Sequence, residues 1–520
     1  MNTKLLKQKI LDLAIRGKLT QQLKSDGTAA DLLKQISEQK RESSSTLSSP
    51  RRRGSPSAQS EKTIIPLDKS EAPFEIPANW EWVRLGDVAY IASGSTPSKD
   101  CFVESGVPYL KMYNLRNQQI DFEYKPQYVK REVHEGKLAR SKAKPGDVIM
   151  NIVGPPLGKV ALVPESLPEC NFNQAAVLIR AHFCTNLMNQ YIRYFLLQMD
   201  EINAINTKGT AGQENISLTQ TQNMRLPLPP LAEQQRIVAK IEEAFAEIEA
   251  IEKNKELLKT HIKQTRQKIL DLAIHGKLVP QNKSDEPASV LLERITRDNP
   301  HYEKMGLDER RETKDERDSN YKRHSREGGN LPPMLSKDEV PFEVPENWCW
   351  CRLGDICNKL IDGDHNPPKG LDYVTKYMML SSRNINDNDI VDLENVRYLS
   401  KEMFEEENQR TKLEEGDILF TSVGSLGRSC IFSGDGKYCF QRSVSLIHTN
   451  IYNKYLKYFF DSNFYQKYIV ENATGTAQMG FYLEQMRKSF IPVPPLAEQS
   501  RIVAKIEELF AELDLVLQNV

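Results

Sequence analysis

The sequence predicts an α+β chain in which two pseudo-symmetric mixed α/β domains are separated by long antiparallel coiled-coil helices. Three observations predict it. The line "PLPPLAEQQRIVAKIEE" (Pro227–Glu243) returns nearly unchanged as "PVPPLAEQSRIVAKIEE" (Pro492–Glu508). Two further blocks recur in the same order, and the helical stretches next to these lines carry a heptad seam.

The recurring blocks set the organisation. "KQKILDLAIRGKL" (Lys7–Leu19) returns as "RQKILDLAIHGKL" (Arg266–Leu278), 259 positions on from Lys9 to Lys268. "PFEIPANWEWVRLGDV" (Pro73–Val88) returns as "PFEVPENWCWCRLGDI" (Pro341–Ile356), 268 positions on from Trp80 to Trp348. The opening pair is 265 positions apart, from Leu231 to Leu496. Small insertions therefore sit between blocks whose order is kept.

After "PPLAEQ" the apolar residues Ile237, Ile241, Ala244, Ile248, Ile251, Leu258, Ile262, Ile269 and Leu272 follow steps of four and three, with Lys255 and Thr265 filling gaps. Pro229 and Pro230 bar an upstream extension, and Gly276 suits a C-terminal stop. The second copy ends at Val520 after Ile502, Ile506, Leu509, Leu513 and Val516. Its missing half is at the N-terminus, where Leu6, Ile10 and Leu13 match Thr265, Ile269 and Leu272. The arrangement is circular.

The expected boundaries follow. Residues 1–40 are a helical segment, 41–72 a flexible linker and 73–230 the first domain. Residues 231–296 hold the central spacer helix and the helix after it; 297–340 form a second linker, 341–495 the second domain and 496–520 the C-terminal helix. Both linkers are polar and charged with few large apolar residues. Within the domains, "GDVIMNIVG" (Gly146–Gly154) matches "GDILFTSVG" (Gly416–Gly424), and "FNQAAVLIR" (Phe172–Arg180) matches "FQRSVSLIH" (Phe440–His448). These read as strands, each pair followed by a helix.

Bulk composition fits an ordinary soluble protein. The 520 residues exceed one compact core, with 39% hydrophobic and 27% charged residues and a net charge of −1. No apolar run approaches the ~20 residues that span a bilayer, and "MNTKLLKQKILDLAIRGKL" lacks a signal-peptide core. A cytoplasmic location is expected. Eight cysteines read as scattered thiols, and Cys349, Cys351 and Cys357 have no counterpart in Glu81, Val83 and Ala89. A metal is not expected.

The twice-written blocks, the "KILDLAI-x-GKL" helix ends and the two intervening domains resemble the specificity subunit of a type I restriction–modification system, over nearly the whole chain outside the linkers. The resemblance implies that each domain is a target recognition domain reading one half of a bipartite double-stranded DNA site. The helices then serve as spacer and docking surface for two methyltransferase (modification) subunits, joined by restriction (motor–nuclease) subunits. Glu233, Gln234, Arg236, Glu498, Gln499 and Arg501, in the repeated helix starts, become the candidate partner-binding residues. S-adenosylmethionine, ATP and Mg2+ are expected on those partners and no cofactor on this chain. Repetition has a physical logic here: two copies of one partner need two like docking surfaces, while two unlike half-sites need unlike readers. Other readings stay open: recognition for a restriction–modification enzyme without a motor, a coiled-coil scaffold, or a degenerate methyltransferase.

No catalytic residue is expected. A G-x-x-x-x-G-K-[ST] loop is missing, and "HNPPKG" (His365–Gly370) has Lys369 where an adenine methyltransferase has an aromatic ring, so it reads as a proline-stiffened loop. "DFEYK" (Asp121–Lys125) carries a nuclease-like Glu-x-Lys that is too short to be specific.

DNA reading calls for cations on phosphates and for amide, guanidinium or hydroxyl groups on base edges. Three loop pairs supply these. In "KMYNLRNQQ" (Lys111–Gln119) and "SSRNINDND" (Ser381–Asp389), Lys111, Arg116, Asn114, Arg383 and Asn384 are candidates, the arginines for guanine and the asparagines for adenine. In "NTKGTAGQENIS" (Asn206–Ser217) and "NATGTAQMGFYL" (Asn472–Leu483), Lys208 and Thr210 suit backbone contacts; Gln213 and Asn215 face Gln478 and Tyr482 as base readers, with Thr474 and Thr476 alongside. In "GPPLGK" and "GSLGR", Lys159 and Arg428 keep a positive charge at like places and suit phosphates. Arg51–Arg53 could also touch DNA, although a solvated linker is the favoured reading of that run.

Overall fold

The computed structural model describes residues 2–45, 64–154, 156–205, 214–298, 335, 340–475 and 479–519. They fall into two compact units, Met1–Asn254 and Lys255–Val520.

In the first unit, Val148–Asn151 and Ala176–Ala181 are apolar on both faces because the sheet they form is covered on both sides. Its order is Val160–Leu162, Val148–Asn151, Ala176–Ala181, Ala89–Ser93, antiparallel throughout. One face packs Val148, Met150, Val177 and Ile179 with Met188, Ile192 and Phe195 of the helix Thr185–Gln198. The other packs Ile149, Ala161 and Leu178 with Leu110 and Phe172, which lie on a smaller sheet. That sheet runs Asn171–Phe172, Val107–Leu110, Tyr128–Val129, Phe102–Val103, and its first pair is parallel. A ribbon of Glu81–Arg84 and Arg225–Leu228 ties the domain's start to its end.

The second unit repeats this plan. Its main sheet runs Cys357–Asp362, Val444–Thr449, Ile418–Thr421, Ser429–Ile431. The smaller sheet places Tyr377–Leu380 between Arg397–Leu399 and the parallel strand Lys437–Phe440. Cys349–Arg352 and Phe490–Val493 form the ribbon. The architecture is mixed α/β, as the repeat predicts.

Leu231–Ile274 is one continuous helix of 44 residues, about 66 Å at ~1.5 Å per residue. In the first unit the helix Thr3–Ile15 lies antiparallel to its beginning: Lys7 pairs with Glu252 at 3.2 Å, and farther along Thr20 donates to Glu233 at 3.1 Å. Leu11 and Ile15 share a core with Ile237 and Ile241. In the second unit the end of the long helix meets Leu496–Gln518 in the same sense, Arg266 pairing with Asp514 and Gln281 donating to Glu498. The seam is buried at Ile237, Ile241 and Ile269, whereas Ile251 is 44% exposed.

Gly17 and Gly276 end the paired "GKL" helices at φ +65° and +66°. A Cβ there would lie 2.3 Å from Pro77 Cγ and 2.4 Å from Pro345 Cγ, so each position has room for glycine alone. Each clamps the end of the helix before it to the "P-x-N-W" start of the domain.

The first linker needs correction at both margins. The helix Ala29–Ser45 runs past residue 41. Ile64 packs on the first core, Leu67 N–H donates to the Trp82 carbonyl, and Glu71 pairs with Arg84. Apolar Ile64 and Leu67 give that stretch something to bury. Residues 46–63, 299–334 and 336–339, including Arg51–Arg53, lie outside the described residues.

Candidate nucleic-acid interface

Each unit brings the candidate loops together through backbone pairing. In the first, Glu214–Asn215 pairs with Val153–Gly154, joining the second loop to the "GPPLGK" hairpin. Gln118, at φ +59°, accepts from Val160 N–H at 2.8 Å and ties the first loop to the same hairpin. In the second unit Val423 bridges Gly480, and Asn388 accepts from Lys457 Nζ at 2.8 Å. Gln118 and Asn388 stand 270 positions apart, the spacing that also relates Asn114 to Asn384. These tethers were not evident in the sequence, because the residues they grip are remote along the chain.

The side chains divide sharply by role. Arg116 is exposed, stacks 4.3 Å above the Tyr124 ring and stays 3.8 Å from Asp121. Arg383 is exposed and 3.3 Å from Asp392. Lys111 is half-buried over the Phe102 ring. Lys159 is half-buried and Arg428 exposed, at the closing positions of matched hairpins where their carbonyls accept from Asn151 and Thr421 N–H. Asn215 and Thr474 are exposed, and Tyr482 is half-buried. Lys208, Thr210, Gln213, Thr476 and Gln478 lie outside the described residues.

Asn114 and Asn384, expected to read adenine, are only 1% and 3% exposed. Asn114 donates to the Asp121 and Tyr124 carbonyls and accepts from Lys111 N–H. Asn384 does the same with Val391, Asp392 and Ser381. Their amides close the loops and have nothing left for a base edge. A buried side-chain amide satisfies backbone groups that the short 3-10 turn leaves unpaired.

The expected partner-binding residues need the same correction. Glu233, Gln234, Glu498 and Gln499 are 0% exposed. Glu233 accepts from Trp80 Nε1 at 2.8 Å and from Gln22 Nε2. Glu498 lies beside Trp348 and accepts from Gln281; burial pushes its carboxyl above the ordinary range, with those donors opposing. Gln234 and Gln499 donate to the Pro229 and Pro494 carbonyls. Arg236 forms two 2.7 Å bonds to Asp26, and Arg501 holds Asp285. The hydrogen bond from Arg236 keeps the Asp26 carboxyl below its usual range. The motif fastens the segment after each "GKL" helix end, and the domain start, to its helix, so its repetition records an internal joint.

At the opposite end of each main sheet from the loops, buried Asp147 holds Arg180, and its counterpart Asp417 holds Lys359 at 2.8 Å and His448 at 2.8 Å. Glu414, Asp417 and His448 have metal-like spacing, but Lys359 Nζ already lies among them, 3.5 Å from Glu414. Cys351 and Cys357 are buried and their thiols pushed up by burial. Among the described residues no helix is long and apolar enough to cross a membrane.

Comparison with known proteins agrees with this geometry. The chain is 25% identical to the EcoEI type I restriction enzyme specificity subunit of Escherichia coli, covering 98% of this chain and 89% of the relative. It is 25% identical to the EcoAI specificity subunit of the same organism, covering 97% and 88%. A chain solved in a study of the "complex assembly and conformational transition of the type I R-M system" shares the fold at TM-score 0.50 and 18% identity, covering 86% of this chain and 94% of that one. The family model "Type I restriction modification DNA specificity domain" matches residues 77–259 and 345–518, the two domains and their following helices, and the chain therefore belongs to that family.

Proposed function

We propose that the chain binds a two-part double-stranded DNA sequence, one part per unit, and directs partner subunits to it without catalysing a reaction itself. The observation that carries this reading is the contrast between matched backbone and unmatched side chains at the two rims. The same hairpin closures recur, while Arg116 stacks over Tyr124 in one unit and Arg383 lies beside Asp392, at a different loop position, in the other. Lys159 and Arg428 hold phosphates, and the unlike loop residues, with Lys208, Thr210, Gln213, Thr476 and Gln478, face the bases and backbone.

The partners are two methyltransferase subunits, which carry S-adenosylmethionine for adenine methylation, and restriction subunits, which use ATP and Mg2+ for cleavage. Two equivalent helix joints suit two copies of one partner. They dock on the exposed faces of these helices, since Glu233, Gln234, Glu498 and Gln499 of the joints are buried. The net charge of −1 leaves those partners to neutralise much of the DNA backbone. The assembly works in the cytoplasm, where the genome is reached.

Selection from randomised duplexes by the full chain with its methyltransferase tests the reading. Two short fixed elements around an unspecified spacer of constant length are expected. A single continuous element, or no enrichment, contradicts it.

A further inference from the structure

In each unit one turn roots the whole rim. In the second unit it is Gln441–Ser443, after the parallel strand Lys437–Phe440. Gln441 N–H donates to Leu380 O at 2.9 Å, and Ser382 N–H donates to Ser443 Oγ at 3.1 Å, fixing the first loop. Ser422 N–H donates to Ser443 O at 3.0 Å, fixing the hairpin, and Phe481 N–H donates to Ser422 O at 2.8 Å, fixing the loop beyond. Arg442 N–H donates to Asp364 O at 2.8 Å, holding the "GDHNPPKG" stretch.

The first unit copies these bonds at 173–175. Asn173 N–H donates to Leu110 O at 3.1 Å, Ile152 N–H to Ala175 O at 2.8 Å, and Ile216 N–H to Ile152 O at 2.9 Å. The chain crosses so closely that a Cβ on Gly94 would sit 2.1 Å from Asn173 O, and one on Gly363 2.3 Å from Phe440 O. A side chain at the middle of this turn is thus held on rigid backbone, as a base-reading group needs.

The middle residues are Gln174 and Arg442, both exposed, 268 positions apart inside an otherwise matched line. Gln174 accepts from Thr96 Oγ1, which tethers its amide oxygen and, among the described residues, leaves its N–H groups to donate elsewhere. Among the described residues the Arg442 guanidinium enters no hydrogen bond or ion pair. The carboxyl within its electrostatic reach, Asp362, is held instead by Ser445 Oγ at 2.6 Å, with His365 and Arg410 also nearby.

We infer that Gln174 and Arg442 are base-reading residues at the centre of each rim, Arg442 for a guanine and Gln174 for an adenine. The planar guanidinium fork fits guanine O6 and N7, and a side-chain amide fits adenine N6 and N7. A phosphate anchor would keep its charge in both units, as Lys159 and Arg428 do; this position does not. The assignment rests on the DNA reading above and names residues for it that the loop motifs did not include.

Selection from randomised duplexes with the full chain, its Arg442→Gln, Arg442→Lys and Gln174→Arg variants separates the possibilities. Arg442→Gln should lower preference for one guanine about ten- to a hundred-fold in one part of the site and leave the other part unchanged. Arg442→Lys should weaken that preference without abolishing it, because an ammonium reaches guanine O6 and N7 but lacks the planar fork. Gln174→Arg should shift one position of the other part from adenine toward guanine, an outcome that a folding defect cannot imitate. A wild-type motif that survives all three variants overturns this assignment alone, as does uniform weakening across all sequences in both Arg442 variants. A wild type that enriches no two-part sequence overturns the DNA reading and this assignment together.

Discussion

In the first unit Glu233 receives the Trp80 indole and the Gln22 amide; in the second, Glu498 lies beside Trp348 and receives Gln281. Arg236 on Asp26 is answered by Arg501 on Asp285, and Lys7 over Phe245 by Arg266 over Phe510. The exposed arginines of the first loops show no such correspondence. At the spacing that aligns Asn114 with Asn384, Arg116 falls opposite Asn386, and Arg383 opposite Tyr113. The joints repeat because buried polar groups tolerate few partners. The rims diverge because exposed loop side chains cost little to change. Sameness marks what holds the molecule, and difference marks what it reads.

The largest effect should come from the buried carboxylates at the ends of the main sheets opposite the rims. Asp147→Ala takes the carboxylate from Arg180 and leaves it the Lys142 carbonyl, and Asp417→Ala removes the buried carboxylate that Lys359 and His448 share. Each should cost about 3–5 kcal/mol in urea denaturation. A loss in one unit only would break the equivalence of the two scaffolds.

Next come the joints. Glu233→Ala and Glu498→Ala each orphan buried donors and should cost about 1.5–3 kcal/mol by the same measurement. Losses that differ by more than the uncertainty of the fits would show that the joints share a sequence without sharing a role.

Acid should separate the halves by sign. Burial, with Lys40 nearby, lowers His182 to about 4, and Asn450 stands at its counterpart position. A depressed histidine resists protonation in the fold, so its contribution is present above pH ~6.5 and lost as pH falls toward 4. Burial raises Asp461 to about 6, and Leu197 stands opposite. A raised carboxyl favours the protonated fold, so that contribution is present below pH ~4 and lost as pH rises through 6. Thermal unfolding at pH 5 and pH 8 should show His182→Asn gaining, relative to wild type, at the lower pH. Asp461→Asn should gain at the higher pH. Equal gains at both pH values would discard the titration argument.

The smallest effect on stability belongs to the exposed cations. Arg116→Ala should change unfolding by no more than about 0.5 kcal/mol while altering base preference. Lys159→Ala and Arg428→Ala should each reduce the salt slope of DNA binding by about one unit. An unchanged slope removes that residue from the phosphate contacts.

The repeat made much of the fold legible. Heptad spacing located the long helix, and matched lines located both sheets, because periodic burial leaves a direct trace in residue order. The site was less legible. Asn114 and Arg116 are two residues apart and equally polar, yet one is sealed beneath the loop and the other stacks on its surface. Residue type does not reveal which polar group the backbone claims first. Glu233 misled for the same reason: a charged residue in an exposed-looking helix start is buried by Trp80, 153 positions away.

Exchanging residues 90–226 for the same region of a relative, then mapping methylated adenines in cells that carry the chain and its methyltransferase, tests the central claim most directly. One part of the recognised sequence should change while the other part stays as it was. A change in both parts, or in neither, would contradict the account.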